Sequence, residues 1–545
     1  MISLLLSLLP AAAPSPNGEA SRPNILYIMS DDHAYQAISA YGGAVAQLAP
    51  TPNIDRLARE GMRFDNSFVE NSLSSPSRAC LITGLYSHQN GQQQLLEGID
   101  STRTFFSELL QQSGYHTGMI GKWHLMCTPK GFDDYHVFWD QGTYYNPGFL
   151  SPESGGRYVT EEGYATELVT DHAIRFLEER DPSKPFCLMV HHKAPHRSWL
   201  PNIKDLGMYD QTTFPIPSTF WDDYATRGSA AHTQKMQIDR DMELALDLKV
   251  DSVGRPLTDF GRILNEYGRL NQEQRAALEA YFGQRYEQFQ RDSLSGRALV
   301  EWKYQTYLRD YLSVIHAVDE QVGRLLDYLD QHGLAENTIV VYASDQGFYM
   351  GEHGWFDKRF MYEQSLRTPL LIRYPREIRP GSVCTEMVQN IDYAPTFLAY
   401  AGVAQPREMT GRSMAPLFQG QHPKNWRQDI YYHYYDYPSW HLTRKHEGVR
   451  TQRYKLIHFY GKGGERALAE NRYQQQPGTR EYNSYQWMLH DGYITPDPDI
   501  DYYELYDLQA DPLELHNIYG QPGTERITRR LLKRLKKYRG SLNIK

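Results

Sequence analysis

The sequence predicts an α/β protein: a large, mostly parallel sheet sandwiched by helices, then a small C-terminal antiparallel sheet with a closing helix. Three observations predict it. Apolar runs such as Asn24–Ser30 show no alternation, as strands buried on both faces require. These runs alternate with helical segments, the pattern of parallel strands joined by crossover helices. Beyond about residue 425 the signal changes to short aromatic runs.

The elements follow in order. The first strand covers 24–30. A helix is predicted from Thr51-Pro52 to Gly61, with a capping Thr, Pro in the first turn and Gly at the stop. Phe105 to Gln112 has helical spacing and stops at Gly114. A strand through Met119-Ile120, a helix near 165–177 and a strand at Phe186–Val190 come next. Residues 199–301 are helical, charged and loop-rich, and read as an insertion at one end of the sheet. An amphipathic helix from Tyr307 to Leu329 leads to a buried strand at Thr338–Tyr342. The runs Ile430–Tyr435, Tyr454–Tyr460 and Tyr503–Tyr506 predict the small antiparallel sheet, and a basic amphipathic helix over Arg526–Tyr538 closes the chain. The expected division is a leader at 1–20, a main α/β domain at 21–424 and a C-terminal subdomain at 425–545.

With 545 residues the chain can bury a large core. A formal net charge of −9 argues against a nucleic-acid binder and offers no overall attraction for a polyanion, so any such attraction must be local. Met1–Pro10 followed by Ala11-Ala12-Ala13 resembles a secretory signal without a basic start, and predicts a periplasmic or secreted protein. It is too short to span a bilayer, and no later segment is apolar enough to do so. Cys80, Cys127, Cys187 and Cys384 lack metal-type spacing and read as free thiols.

The chemistry centres on Ser74-Ser75-Pro76-Ser77-Arg78, a proline turn that delivers hydroxyls and one arginine to a helix start. Free N–H groups and the helix dipole favour negative charge there. Ser74 is the candidate nucleophile and Arg78 its charge partner for an anionic ester. Asp31-Asp32 follow the first strand, and Asp345-Gln346 follow the strand at 338–342. Ligand sites in such sheets lie beyond the carboxyl ends of the strands. Carboxylates gathered on one rim require a cation, and all-oxygen donors point to Ca²⁺ or Mg²⁺, with Ca²⁺ the more tolerant of such a set. Lys122, His124, His196 and Lys358 also fall at strand ends or nearby. They are candidates for holding anionic oxygens and for moving protons.

Ser74-x-Pro-Ser-Arg followed by Thr83-Gly84 resembles the active-site signature of type I sulfatases, members of the alkaline-phosphatase-like group. The resemblance implies that Ser74 is oxidised to formylglycine by a maturation enzyme able to act on Ser. It also implies that Asp31, Asp32, Asp345, Gln346 and modified Ser74 bind Ca²⁺. Gly121-Lys122-Trp123-His124, Ala194-Pro195-His196 and Lys358 resemble further family motifs. They imply that Lys122 and Lys358 hold sulfate, that His124 serves the second hydroxyl of the aldehyde hydrate, and that His196 or Lys358 protonates the leaving alcohol. Ser30–Gln36, Gly354–Arg359 and Tyr431–Tyr437 look like bacterial exo-acting N-acetylglucosamine-6-sulfatases, which act on glycosaminoglycan or mucin-type glycans. On that resemblance Asp357, Arg359 and His446 are candidates for binding sugar hydroxyls. The competing expectations are another sulfated sugar such as galactose-6-sulfate, a phosphate or phosphonate ester, and a sulfoglycan-binding protein in which Ser74 stays unmodified.

Overall fold

A computed structural model describes residues 22–250, 266–470, 478, 480–494 and 496–544. The expected leader lies outside these residues, as does part of the expected insertion.

The main sheet has eight strands: β1 (Asn24–Ser30), β2 (Met62–Phe64), β3 (His116–Lys122), β4 (Asp134–Phe138), β5 (Phe186–His191), β6 (Thr338–Ser344), β7 (Leu370–Arg373) and β8 (Ser382–Cys384), in the order β8-β2-β7-β6-β1-β5-β3-β4. Every pairing is parallel except the two made by β7. Both faces of β1 are apolar for a plain reason. Leu26 and Ile28 enter one core, while Ile25, Tyr27 and Met29 enter the other. The first core is closed by helices α1 (Pro52–Glu60), α4 (Ala165–Glu179) and α6 (Gly296–Gln331), and the second by α3 (Phe106–Gln112) and α7 (Tyr393–Tyr400). Helix α2 (Ser74–Thr83) adds Ala79, Leu81 and Ile82 to the second core.

Register aligns the rim that matters. Asn24 pairs with Thr338 and Ser30 with Ser344, so Asp31 and Asp345 leave neighbouring strands at the same level. On the other side Met29 pairs with His191, and Gly121 also pairs with His191. Lys122 and His192 therefore emerge beside Asp31. Gly121 has a φ of +93°, and a Cβ there would lie 2.0 Å from the His191 carbonyl oxygen. No other residue permits the Lys122 strand end to approach this closely.

From Asp429 onward, β9 (Asp429–Tyr434), β10 (His446–Thr451), β11 (Tyr454–Gly461) and β12 (Ile500–Asp507) form an antiparallel sheet in chain order. One face packs Tyr432, Tyr434, Ile457 and Phe459 against Phe360, Met361 and Tyr362. The other receives Leu531 and Leu535 of α8 (Glu525–Ser541). A buried ionic cluster ties it to the main sheet. Glu363 pairs with Arg450 (3.0 Å) and Lys455 (2.8 Å), and Lys455 also pairs with Glu514 (2.7 Å). No helix among the described residues is long and apolar enough to cross a membrane.

Two expectations need correction. The helix expected from Tyr307 begins at Gly296, inside the segment assigned to the insertion. That segment also holds α5 (Gln272–Asp292). Gly296, at a φ of +55°, starts the helix where no apolar period announces it. The short strands β2, β4, β7 and β8 carry too few residues for a periodic signal and were not expected.

Candidate active site

Helix α2 is buried along its whole length, and its first residue is Ser74. Leu73, extended at the N-cap position, makes no side-chain cap, so the first N–H groups remain directed at the rim. Ser74 Oγ donates to Asp31 Oδ1 (3.0 Å). Ser77 Oγ donates to the Asp345 carbonyl oxygen and accepts from Asn390 Nδ2 (2.9 Å), which clamps the helix start to the end of β6. Arg78 donates from Nε and Nη2 to Asp345 Oδ2 (3.2 and 3.0 Å) and from Nη1 to the Lys122 carbonyl oxygen (2.8 Å).

Asp31, Asp32 and Asp345 bring one carboxylate oxygen each within 4.8 Å of one another, fully buried. Their charge is answered by buried cations. Lys122 Nζ contacts Asp31, and Lys358 Nζ donates to both oxygens of Asp32 at 2.7 Å. Burial raises the Asp31 carboxyl, but Lys122, His196 and Arg78 outweigh it and hold it well below the usual range. Burial, aided by Asp31 and Asp345 against the opposing Lys358, pushes Asp32 up to about 7. Burial and Asp31 push Asp345 up to about 6. Gln346 donates through Nε2 to Asp32 Oδ1, while its buried Oε1 has no hydrogen-bond partner among the described residues. Three converging carboxylates and one orphaned amide oxygen are a donor set fit for a hard divalent cation.

The remaining candidates surround this cluster. Lys122 Nζ also donates to Gln141 Oε1 (2.7 Å), and burial, against the pull of Asp31, lowers its pKa to about 8. His124 Nε2 lies 3.2 Å from Asp140 Oδ1; burial and Lys122 lower it to about 4. His196 Nδ1 donates to the Arg197 carbonyl oxygen (2.6 Å), leaving Nε2 at 3.8 Å from Asp32 Oδ2. Ser74, Arg78, Lys122, His124, His196, Lys358, Asp31, Asp32, Asp345 and Gln346 thus meet on one rim. Two of these backbones, Asp32 at +67° and His124 at +58°, are held in the left-handed region, as are Asp357 at +75° and Arg359 at +94° on either side of Lys358. Such conformations persist where packing over-determines them, and they cluster at working sites.

Beside Lys358, Asp357 Oδ1 accepts from Arg359 Nε (3.0 Å), and Asp357 Oδ2 lies 3.3 Å from His441 Nε2. Arg359 Nη1 donates to Tyr434 Oη (3.1 Å) and stands 3.6 Å from Asp436 Oδ2. These polar side chains form a wall next to the carboxylate cluster.

His446 does not join that wall, which corrects the expectation for it. It is fully buried, stacked against Tyr432 and Tyr434, and both ring nitrogens are used. Nδ1 donates to the Arg444 carbonyl oxygen (2.8 Å) and Nε2 accepts from the Met361 N–H (3.1 Å). The histidine that reaches Asp357 is His441, on a turn at a φ of +67°. No local pattern separates the two, since both lie in one short stretch rich in aromatics and cations. His192 is fully buried nearby, and neither of its ring nitrogens has a hydrogen-bond partner among the described residues.

The sulfatase family matches residues 23–403, and the C-terminal family of N-sulphoglucosamine sulphohydrolase matches 351–487 and 492–541. The N-acetylglucosamine-6-O-sulfatase of Bacteroides thetaiotaomicron is 45% identical over 522 residues, 95% of this chain and 86% of that protein. The N-acetylglucosamine-6-sulfatase of Capra hircus is 25% identical over 440 residues, 76% of this chain and 66% of that protein. A structure solved in complex with its substrate D-glucosamine-2-N,6-O-disulfate superposes with a TM-score of 0.86 at 43% identity, covering 96% of this chain and 98% of that one.

Proposed function

Because this chain belongs to the sulfatase family, we propose that it is a glycan sulfatase that hydrolyses the 6-O-sulfate ester of terminal N-acetylglucosamine-6-sulfate. One observation carries the substrate assignment: near-full-length similarity, at 45% identity, to an N-acetylglucosamine-6-O-sulfatase.

Asp31, Asp32, Asp345, Gln346 and the side chain at position 74 would hold Ca²⁺. When bound, the ion supplies positive charge that steadies an anionic oxygen and favours ionisation of a neighbouring hydroxyl. Oxidation of Ser74 to formylglycine would supply an aldehyde hydrate, whose two hydroxyls permit attack and later release of sulfate. The chain's own groups do the rest. Arg78 and the start of α2 direct positive charge at the attacking oxygen. Lys122 and Lys358 flank the carboxylates and are placed to hold the non-bridging oxygens of the ester. His196 is the least enclosed of the set, with Nδ1 tied to backbone and Nε2 toward the rim; burial holds its imidazole well below the usual range, and the negative charge of a bound ester would favour the protonated form that serves the leaving alcohol. His124, lowered by burial, remains neutral; its Nε2 faces Asp140 as a donor, and its buried Nδ1, without a partner among the described residues, is the nitrogen able to take a proton. Asp357, Arg359 and His441 are placed to bind the hydroxyls of the terminal sugar.

The proposal extends to maturation and place of work: a Ser-directed maturation enzyme modifies residue 74, and the protein acts in the periplasm or outside the cell. Peptide mass spectrometry of protein from its native host should show residue 74 lighter than serine by about two mass units. Desulfation of defined monosaccharides tests the substrate. Release of sulfate from galactose-6-sulfate, with N-acetylglucosamine-6-sulfate untouched, would overturn the assignment.

A further inference from the structure

We propose that the outer face of α8 is a binding surface for a sulfated glycan chain, separate from the catalytic cleft. The proposal rests on the glycan-sulfatase reading only for the identity of its ligand.

Helix α8 holds Arg526, Arg529, Arg530, Lys533, Arg534, Lys536, Lys537 and Arg539 against one acid, Glu525, in a chain of net charge −9. Two of the cations are used internally: Arg534 pairs with Asp429 and Arg539 with Glu447 (3.0 Å). Arg526, Arg529, Arg530, Lys533, Lys536 and Lys537 are exposed, and among the described residues none lies within ion-pair distance of a carboxylate. Their spacing of three and four residues places them on one side of the helix. The result is a cationic stripe running most of a 17-residue helix, about 25 Å.

The opposite side decides what this stripe can bind. Leu531 and Leu535 are buried against the C-terminal sheet, in a cluster with Cys80, Tyr86, Tyr431 and Val449. A helix that docks on a membrane needs its apolar side free to enter the lipid boundary. Here that side is already spent on packing, so the stripe offers only charge and hydrogen-bond donors. A linear polyanion with sulfates repeated along its length matches that offer.

Position separates the stripe from the cleft. Cys80, in the last turn of the helix that begins with Ser74, and Tyr86, just beyond its end, share a core cluster with Leu531 and Leu535, and His88 Nε2 contacts the Leu542 carbonyl oxygen (3.0 Å). The ten residues of α2 put about 14 Å between its first and last Cα atoms. A glycan held on α8 would keep the enzyme on a polymer while the cleft works on a chain end. It would also supply local attraction that the overall negative charge denies.

The test uses the full protein and heparin-derived oligosaccharides of increasing length, with binding measured across a range of NaCl. The wild type should bind more tightly as the oligosaccharide lengthens and more weakly as salt rises. A variant with Arg526, Arg529, Arg530, Lys533, Lys536 and Lys537 all changed to Gln should bind the long oligosaccharides at least tenfold more weakly, with a shallower salt dependence. Its thermal midpoint and its turnover of N-acetylglucosamine-6-sulfate monosaccharide should stay at wild-type values. Changing the three arginines to Lys preserves charge and should preserve binding. Equal affinity of the six-Gln variant for the long oligosaccharides overturns the proposal. So does a wild-type preference for phosphatidylglycerol vesicles or duplex DNA over the oligosaccharides. A wild type that binds oligosaccharides but leaves the monosaccharide intact would instead sink the proposed function and leave this surface standing.

Discussion

His196 and Lys358 both approach Asp32, and their geometry divides their work. Lys358 is pinned to both oxygens of Asp32, and although burial opposes it, that pairing raises its pKa. A proton held so firmly suits a charge clamp better than an acid. His196→Ala should therefore cost far more on a sugar sulfate, whose alcohol leaves poorly, than on an aryl sulfate, whose phenolate needs no proton. Comparing kcat for the two substrates checks it; equal losses would contradict the assignment. Single-residue logic also separates the two C-terminal histidines. His441→Ala should raise KM for the terminal sugar about tenfold through one lost charge-assisted contact, with the fold intact. His446→Ala should lower the thermal midpoint instead, because it leaves the Met361 N–H and the Arg444 carbonyl buried and unpaired.

At the scale of elements, the C-terminal sheet is joined to the catalytic rim by groups that tolerate no half-measures. Arg450→Ala leaves Glu363 buried with a partner missing, and should cost about 3–5 kcal/mol of stability by denaturant unfolding. The loop around Asp222 is held in another way. Asp222 Oδ2 accepts from Arg227 Nη1 (2.5 Å) and faces His353 Nδ1 (2.9 Å). Burial alone would raise this carboxyl, but His353 and Arg227 lower it to about 2. A carboxyl depressed in the folded state stabilises above its unfolded pKa, and that stability is lost as pH falls through the folded value. The contribution, about 2 kcal/mol, should be complete above about pH 4 and fade toward pH 2. Asp222→Asn should flatten that segment of the stability–pH curve, and an unchanged curve would refute the account.

Over the whole molecule, the proposed ion and the fold would be coupled through one rim. Asp345 lies 313 residues along the chain from Asp32, so an ion bridging the two segments would stabilise the folded state alone. Added Ca²⁺ should raise the thermal midpoint of chelator-treated protein, and Asp345→Asn should abolish most of that rise together with activity. The parts of the molecule differed in how openly the sequence announced them. Strands β1, β5 and β6 were legible because burial on both faces leaves an unbroken apolar run. The short β2, β7 and β8 were not, because a few residues carry no period and owe their state to the edge they complete. The start of α6 was missed for a similar reason: its first turns lie where charged and apolar residues mix without a clear stripe.

What the sequence by itself determined was local chemistry: a hydroxyl and an arginine at a helix start, acids directly after buried strands, lysines and histidines at strand ends, and a cationic helix at the close. Those features depend on periodicity and on neighbours a few residues away. Only the tertiary structure decided which of them meet. The pairing of Ser30 with Ser344 and of Gly121 with His191 sets Asp31, Asp345 and Lys122 at one level. The register of β10 buries His446, while the turn before it frees His441 to reach Asp357. Hydrogen-bond register is a relation between distant segments, and it exists only once the chain has folded.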